Sequence, residues 1–111
     1  MLPRNTRLTT ELFDQIMKSG RIFNSSLFTF RAVKVAGKSR FAVTASKKIF
    51  KTAVERNRIR RRVYAQLEKV MPRVEKGFHG AFIVKSALNT ASPSIIYSEI
   101  EGVFVKTGIM K

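Results

Sequence analysis

Apolar residues recur along this chain in two rhythms, and each change of rhythm marks a change of element. Leu12, Phe13, Ile16 and Met17 fall at helical spacing. A hydroxyl at Thr9 or Thr10 can cap the free N–H groups of a first turn, and Gly20 ends the run, so a helix is expected between them. From Ser25 to Val35 the period falls to two. Phe28, Phe30 and Ala32 then lie on one face of a strand, with Leu27, Thr29, Arg31 and Val33 on the other. Ala36-Gly37-Lys38-Ser39 makes a turn into a second strand, Arg40 to Ser46. Its Phe41, Val43 and Ala45 suit a core, while Ala42, Thr44, Ser46 and Lys48 form a small, polar face that leaves room above the sheet.

The helical rhythm returns from about Thr52 to Met71, with Ile59, Val63, Leu67 and Val70 as the buried stripe and Pro72 as the stop. A short apolar strand, Ala81 to Val84, is entered through Gly77 and Gly80. After the loop Asn89 to Ser92, Ser94 is the expected cap of a last helix that carries Ile95, Ile96, Ile100, Val103 and Phe104 and ends near Gly108. The order α-β-β-α-β-α describes an α+β fold, a small sheet packed with helices, in which a β-α-β unit contains the arginine-rich helix. The sheet has three strands, or four if Arg21-Ile22-Phe23 adds one. Residues 1–111 read as one domain, without repeats or linkers.

Charge changes the picture most. Twenty-two Lys and Arg oppose seven Asp and Glu, for a net charge of +15. Such an excess repels itself in a compact state and suits a polyanionic partner. Nucleic acid fits better than a membrane surface, because no amphipathic terminal helix or lipidation signal accompanies the charge. The chain has no Cys, which excludes disulfides and thiolate metal sites. Residues Met1 to Arg7 hold no apolar stretch suited to a signal sequence, and no run approaches the roughly 18 apolar residues of a membrane span. The expected location is the cytoplasm, with no membrane partner.

The charge concentrates between Ser46 and Arg62. Lys47, Lys48, Lys51, Arg56, Arg58, Arg60, Arg61 and Arg62 are cationic and Glu55 alone opposes them. Solvated helix faces usually mix signs to gain i,i+4 pairs, whereas this one sets like charges side by side. A polyanion relieves that repulsion, and arginine forks bond phosphate oxygens in pairs and stack on bases. Electrostatics alone leaves three readings open: a subunit of an RNA-processing particle, a ribosomal or other RNA-packaging protein, or a DNA-binding regulator. The last is disfavoured because the helix lacks a partner element for a helix-turn-helix.

At these residues the chain resembles a known family. Arg40-Phe-Ala-Val-Thr-Ala-Ser-Lys-Lys-Ile49, a short loop, and Ala53-Val-Glu-Arg-Asn-Arg-Ile-Arg-Arg61 are similar to the signature of the bacterial ribonuclease P protein family, a strand ending in Ser-Lys-Lys before a helix that opens on Arg-Asn. Arg7-Leu8, Phe13 to Gly20 and Phe78 to Ser86 extend the likeness, which runs from about Arg4 to Gly108. The resemblance implies that Arg56, Asn57, Arg58, Arg60, Arg61 and Arg62 contact a catalytic RNA. It implies that Lys47, Lys48, Lys51, Phe13, Met17 and Phe30 contact RNA or line a cleft for the single-stranded 5′ leader of precursor tRNA. Ordinary core packing is the competing reading for Phe13, Phe28 and Phe30, and solvated surface for the lysines. An exposed Phe30 or Phe28 beside Ala42, Thr44 and Ser46 would stack on an unpaired base.

Three positions depart from the family pattern. Phe50 stands where a small residue is common, in a connection one residue longer. Tyr64 stands where many members carry a further Arg, and Met17 where an aromatic is common. No protein active site can be assembled: His79 is the only histidine, and the seven acids are scattered. The resemblance accounts for this by placing Mg²⁺ and the hydrolysis on the RNA subunit. The implied partners are that RNA and precursor tRNA, with no obligatory protein partner.

Overall fold

In a computed structural model, residues 8–110 are described. Arg7, the rest of the N-terminal segment and Lys111 lie outside them. The elements are α1 (Thr10–Ser19), β1 (Arg21–Asn24), β2 (Phe28–Lys34), β3 (Arg40–Thr44), α2 (Ala53–Val70), β4 (Phe78–Val84) and α3 (Pro93–Thr107), with 3₁₀ turns at Met71–Arg73 and Ser86–Thr90. The expected α+β order holds. The optional fourth strand is real, since Arg21 to Asn24 pairs antiparallel with Ala32 to Thr29.

The sheet order is β1-β2-β4-β3. β4 is inserted between β2, to which it is antiparallel, and β3, to which it is parallel. The parallel pair requires a crossover, and α2 supplies it. Central placement also explains why β4 begins at Phe78 rather than Ala81: seven residues pair with β2, and His79 and Gly80 are carried into the ladder.

Register assigns the faces. Phe30 lies opposite Phe82, which lies opposite Val43, while Ala32 lies opposite Gly80 and then Phe41. Phe28, Phe30, Phe41, Phe82 and Val84 therefore share one side, where Ile59, Val63, Leu67 and Val70 of α2 and Ile96, Ile100 and Phe104 of α3 bury them. The Phe30 ring is fully buried, 4.7 Å from the ring of Phe82 and 5.6 Å from that of Phe104. Gly80 makes the room: a Cβ there would stand 2.4 Å from Phe30 Cζ and 3.1 Å from Phe41 Cδ1.

This overturns one expectation. Phe30 and Phe28 do not project beside Ala42, Thr44 and Ser46, because the parallel register puts Phe41 and Val43, not Ala42 and Thr44, on their side. Phe30 is a core residue with no exposed surface.

The helix ends follow local chemistry. The Thr9 hydroxyl accepts from Leu12 N–H and caps α1. Thr52 caps α2 by accepting from Glu55 N–H at 3.1 Å. Ser92, not Ser94, caps α3, because Pro93 fits the first helical position, where its fixed φ is favourable and no N–H is needed. Gly108, at φ 80°, ends α3 in the left-handed conformation and turns Ile109 and Met110 back into the core.

Gly80→Ala is expected to destabilise the fold by about 1–3 kcal/mol through overpacking against Phe30 and Phe41. Urea unfolding measures this, and an unchanged midpoint would contradict the placement of the Phe30 ring.

Candidate nucleic-acid interface

The side of the sheet away from the main core is thinly covered. Its rows, read across β2, β4 and β3, are Thr29-Ile83-Thr44, Arg31-Ala81-Ala42 and Val33-His79-Arg40. The single helix α1 packs here, on β2 and β4, anchored by the fully buried Ile16. Small residues in the middle row let it approach closely. The carbonyl of Met17, in its last turn, accepts a 2.8 Å hydrogen bond from Arg31 Nη1. A cation at that end suits the helix dipole. Nothing in the sequence pattern singles out Arg31, since an arginine on the outer side of a strand normally looks solvated.

Between the start of α1 and β3 lies an open cavity of about 220 Å³, lined by Leu8, Thr9, Thr10, Phe13, Ala42 and Thr44. Phe13 and Met17, four residues apart on α1, are both half-buried, as are Thr29, Ile83 and Thr44 along the next row. A groove with a small, partly polar floor and an aromatic wall thus runs beside α1. It contains the expected Phe13 and Met17, and Phe30 lies on the opposite side of the sheet.

The basic segment begins where β3 leaves this groove. Ser46 shapes the exit: its carbonyl accepts from Phe50 N–H at 2.8 Å and its hydroxyl accepts from Lys48 N–H at 3.0 Å. Lys47, Lys48 and Lys51 are exposed around the turn. Phe50 is buried in the core, and its carbonyl accepts from Arg56 Nη1 at 2.9 Å. The bulky residue in the longer connection therefore pins the loop to the start of α2.

Glu55 is half-buried and held at the helix N-terminus, its carboxylate accepting from the Thr52 hydroxyl at 3.1 Å. There it suits the helix dipole and neutralises none of the arginines one turn on. Asn57, Arg58 and Arg61 are exposed, and Arg60 is half-exposed with a hydrogen bond to the Asn57 side-chain oxygen. Arg58 Nη2 donates to Asn89 Oδ1 at 3.0 Å. Among the described residues, none of these arginines has a carboxylate in ion-pair range.

Arg62 differs from the expectation. It is half-buried, and its guanidinium donates to the carbonyls of Leu88, Asn89 and Ala91. Those carbonyls belong to the 3₁₀ turn after β4 and the chain leaving it, where the Leu88 carbonyl also accepts from Ala91 N–H at 3.1 Å. Arg62 thus brackets α2 to that turn. Tyr64 has likewise turned inward: its hydroxyl accepts the 3.2 Å hydrogen bond of Val43 N–H on β3.

His79 is buried beside Arg40 on the α1 side of the sheet. Burial, and secondarily the Arg40 charge, pushes its pKa below the usual histidine value. Among the described residues no three His, Asp or Glu converge in a way that could hold a metal ion. No helix among them is long and apolar enough to cross a membrane.

The family model for ribonuclease P matches residues 2–108. The chain belongs to the ribonuclease P protein family. It is 33% identical to the ribonuclease P protein component of Synechococcus elongatus, over 98% of this chain and 95% of the relative. With the component from Microcystis aeruginosa it shares 26% identity, over 88% of this chain and 86% of the relative. In fold it is similar to the RNase P protein of Staphylococcus aureus, at a TM-score of 0.80 and 18% identity over 96% of this chain and 98% of that one. The Thermotoga maritima RNase P protein gives 0.77 and 21% over 87% and 93%. The ribonuclease P fold thus survives in chains whose sequences have diverged widely from this one.

Two outcomes test the geometry. Arg62→Ala should lower the melting temperature while leaving the salt dependence of RNA binding unchanged. Arg60→Ala plus Arg61→Ala should do the reverse, flattening log affinity against log salt by up to about one unit per lost phosphate contact. His79 provides a pH signature. A lowered folded pKa means that the unfolded chain binds the proton more readily, so its contribution is full above the unfolded value of about 6.5 and is lost as pH falls through the folded value. Melting temperatures from pH 8 to 5 should fall more steeply for the native chain than for His79→Gln; parallel curves would count against a neutral, buried imidazole.

Proposed function

We propose that this chain is the protein subunit of a ribonuclease P ribonucleoprotein that acts in the cytoplasm. In this reading Asn57, Arg58, Arg60 and Arg61, with Arg56 at the helix start, face the catalytic RNA. The groove beside α1 receives the unpaired 5′ leader of precursor tRNA, and the particle removes that leader endonucleolytically to leave the mature 5′ end. The observation that carries the reading is a helix face rich in arginine, with its one nearby acid held in a cap, beside a sheet face left open except for α1.

Each part has a chemical task. The arginine forks and Lys47, Lys48 and Lys51 neutralise phosphates, and the lysines lie between helix and groove, where the leader would pass the catalytic RNA. Phe13 offers a partly exposed ring to an unpaired base, and Met17 a flexible, polarisable surface. Thr29 and Thr44 offer hydroxyls to sugars or base edges. Mg²⁺, held mainly by RNA phosphates, would activate the attacking water and stabilise the leaving oxygen, because the described residues offer no converging carboxylates for a hard cation. The protein's share of catalysis is then to position the substrate and to lower the electrostatic cost of bringing two RNAs together.

Reconstitution with a bacterial ribonuclease P RNA at low Mg²⁺ should accelerate 5′ cleavage and favour substrates that carry a leader. Phe13→Ala should weaken leader-dependent binding by about 1–3 kcal/mol if its ring stacks on a base. Phe30→Ala should instead lower the melting temperature and leave the leader preference of the folded protein intact. No stimulation at any Mg²⁺ concentration would leave a packaging role for the basic surface.

A further inference from the structure

The core side of the sheet is not fully roofed. Alternate residues of β1 point to that side, because Arg21 lies opposite Ala32 and Phe23 opposite Phe30. At the far end of β2, Lys34 lies opposite Phe78. Beyond the C-terminal end of α3 this corner forms a hollow of about 270 Å³, with Phe23, Ala32, Phe78 and Thr107 among its lining and Arg21 and Lys34 at its rim. Phe23 and Phe78 are half-buried, each packed in part against the core. The Arg21 guanidinium lies over the Phe23 ring, 5.4 Å from its centroid. Arg21 and Lys34 are both exposed, and among the described residues neither has a carboxylate partner.

We infer that this hollow is a second RNA-contact site, which takes one unpaired nucleotide of an RNA strand. The volume lies just below the roughly 300–1,000 Å³ of pockets for drug-sized ligands, and suits a single heterocycle. Partly exposed aromatic rings bind a flat base by stacking, and the exposed Arg21 guanidinium can move off the Phe23 ring to cover the base or bond its phosphate. Two unpaired cations at the rim match the phosphates on either side of the base. A peptide helix is too wide for the hollow, and a lipid surface needs a broader apolar face. The hollow wraps the β1–β2 corner, with Ser19 and Val33 also in its lining, and shares no lining residue with the groove beside α1, so it engages a different RNA segment and does not depend on the groove holding the leader.

The test is a titration of the isotope-labelled full chain, followed through the amide resonances of Phe23, Phe78 and Thr107. The probes are a tetra-adenylate, AMP and inorganic phosphate. The tetra-adenylate should shift these resonances saturably, AMP more weakly, and phosphate not at all. Arg21→Gln with Lys34→Gln, both on the surface, should weaken the tetra-adenylate effect at these positions by about tenfold or more, while shifts at Arg61 persist. Phe23→Leu, which preserves apolar packing, should weaken it severalfold. Shifts confined to α2 and the groove would overturn the proposal, as would a double variant that titrates like the native chain. AMP binding as tightly as the tetra-adenylate would make this a free-nucleotide site and overturn the RNA assignment. Phosphate reproducing the shifts would reduce it to charge attraction.

Discussion

The rings of Phe28, Phe30, Phe41, Phe82 and Phe104 meet on one side of a four-stranded sheet, with neighbouring centroids 4.7 to 6.5 Å apart. Large aromatic rings supply most of the apolar area that a short chain can bury, so two helices are drawn to that side. Only α1 is left for the other side, and it sits low over small residues. The open groove beside it follows from this asymmetry. A large ring at Ala42 or Ala81 would lift α1 from the sheet and change the groove at once.

The same division organises the charge. α2 uses Ile59, Val63, Leu67 and Val70 to hold the aromatic core, and this anchorage lets its outer surface carry adjacent arginines that an isolated helix would tolerate poorly. Four of its polar groups are diverted to the fold: Glu55 joins the cap, Arg56 holds the loop at Phe50, Arg62 ties down the turn after β4 and Tyr64 reaches β3. What remains outward is almost purely cationic. Surface charge and folding thus compete for the polar groups of this helix, and the competition is resolved residue by residue.

Periodicity was a good guide wherever it alternated strongly. The α-β-β-α-β-α order, the crossover helix and most helix ends could be read from spacing and caps. Which face of β3 joins which face of β2 could not be read, because that depends on the register through β4, far away in sequence. The misplacement of Phe30 came from there. In the candidate interface, Asn57, Arg58 and Arg61 are exposed and Arg60 half-exposed on α2 as their spacing suggests, whereas Arg62 looks identical in sequence and differs because the turn at Ser86–Thr90 presents carbonyls to it. Arg31 was invisible for the converse reason, since its partner is a helix carbonyl that only the tertiary fold brings near. The hollow at Phe23 depends on where α3 stops relative to β1, another relation between segments distant in the chain.

Tyr64 carries a final consequence. β3 forms one edge of the sheet, and edge strands with unpaired N–H groups are templates for strand addition from another molecule. The Tyr64 hydroxyl occupies the Val43 N–H, one residue from the end of that edge strand. An arginine at this position would add one more cation for RNA and leave the strand open. With tyrosine, the edge keeps one donor fewer for a foreign strand to pair with, a safeguard against sheet-to-sheet association built from a side chain of the crossover helix.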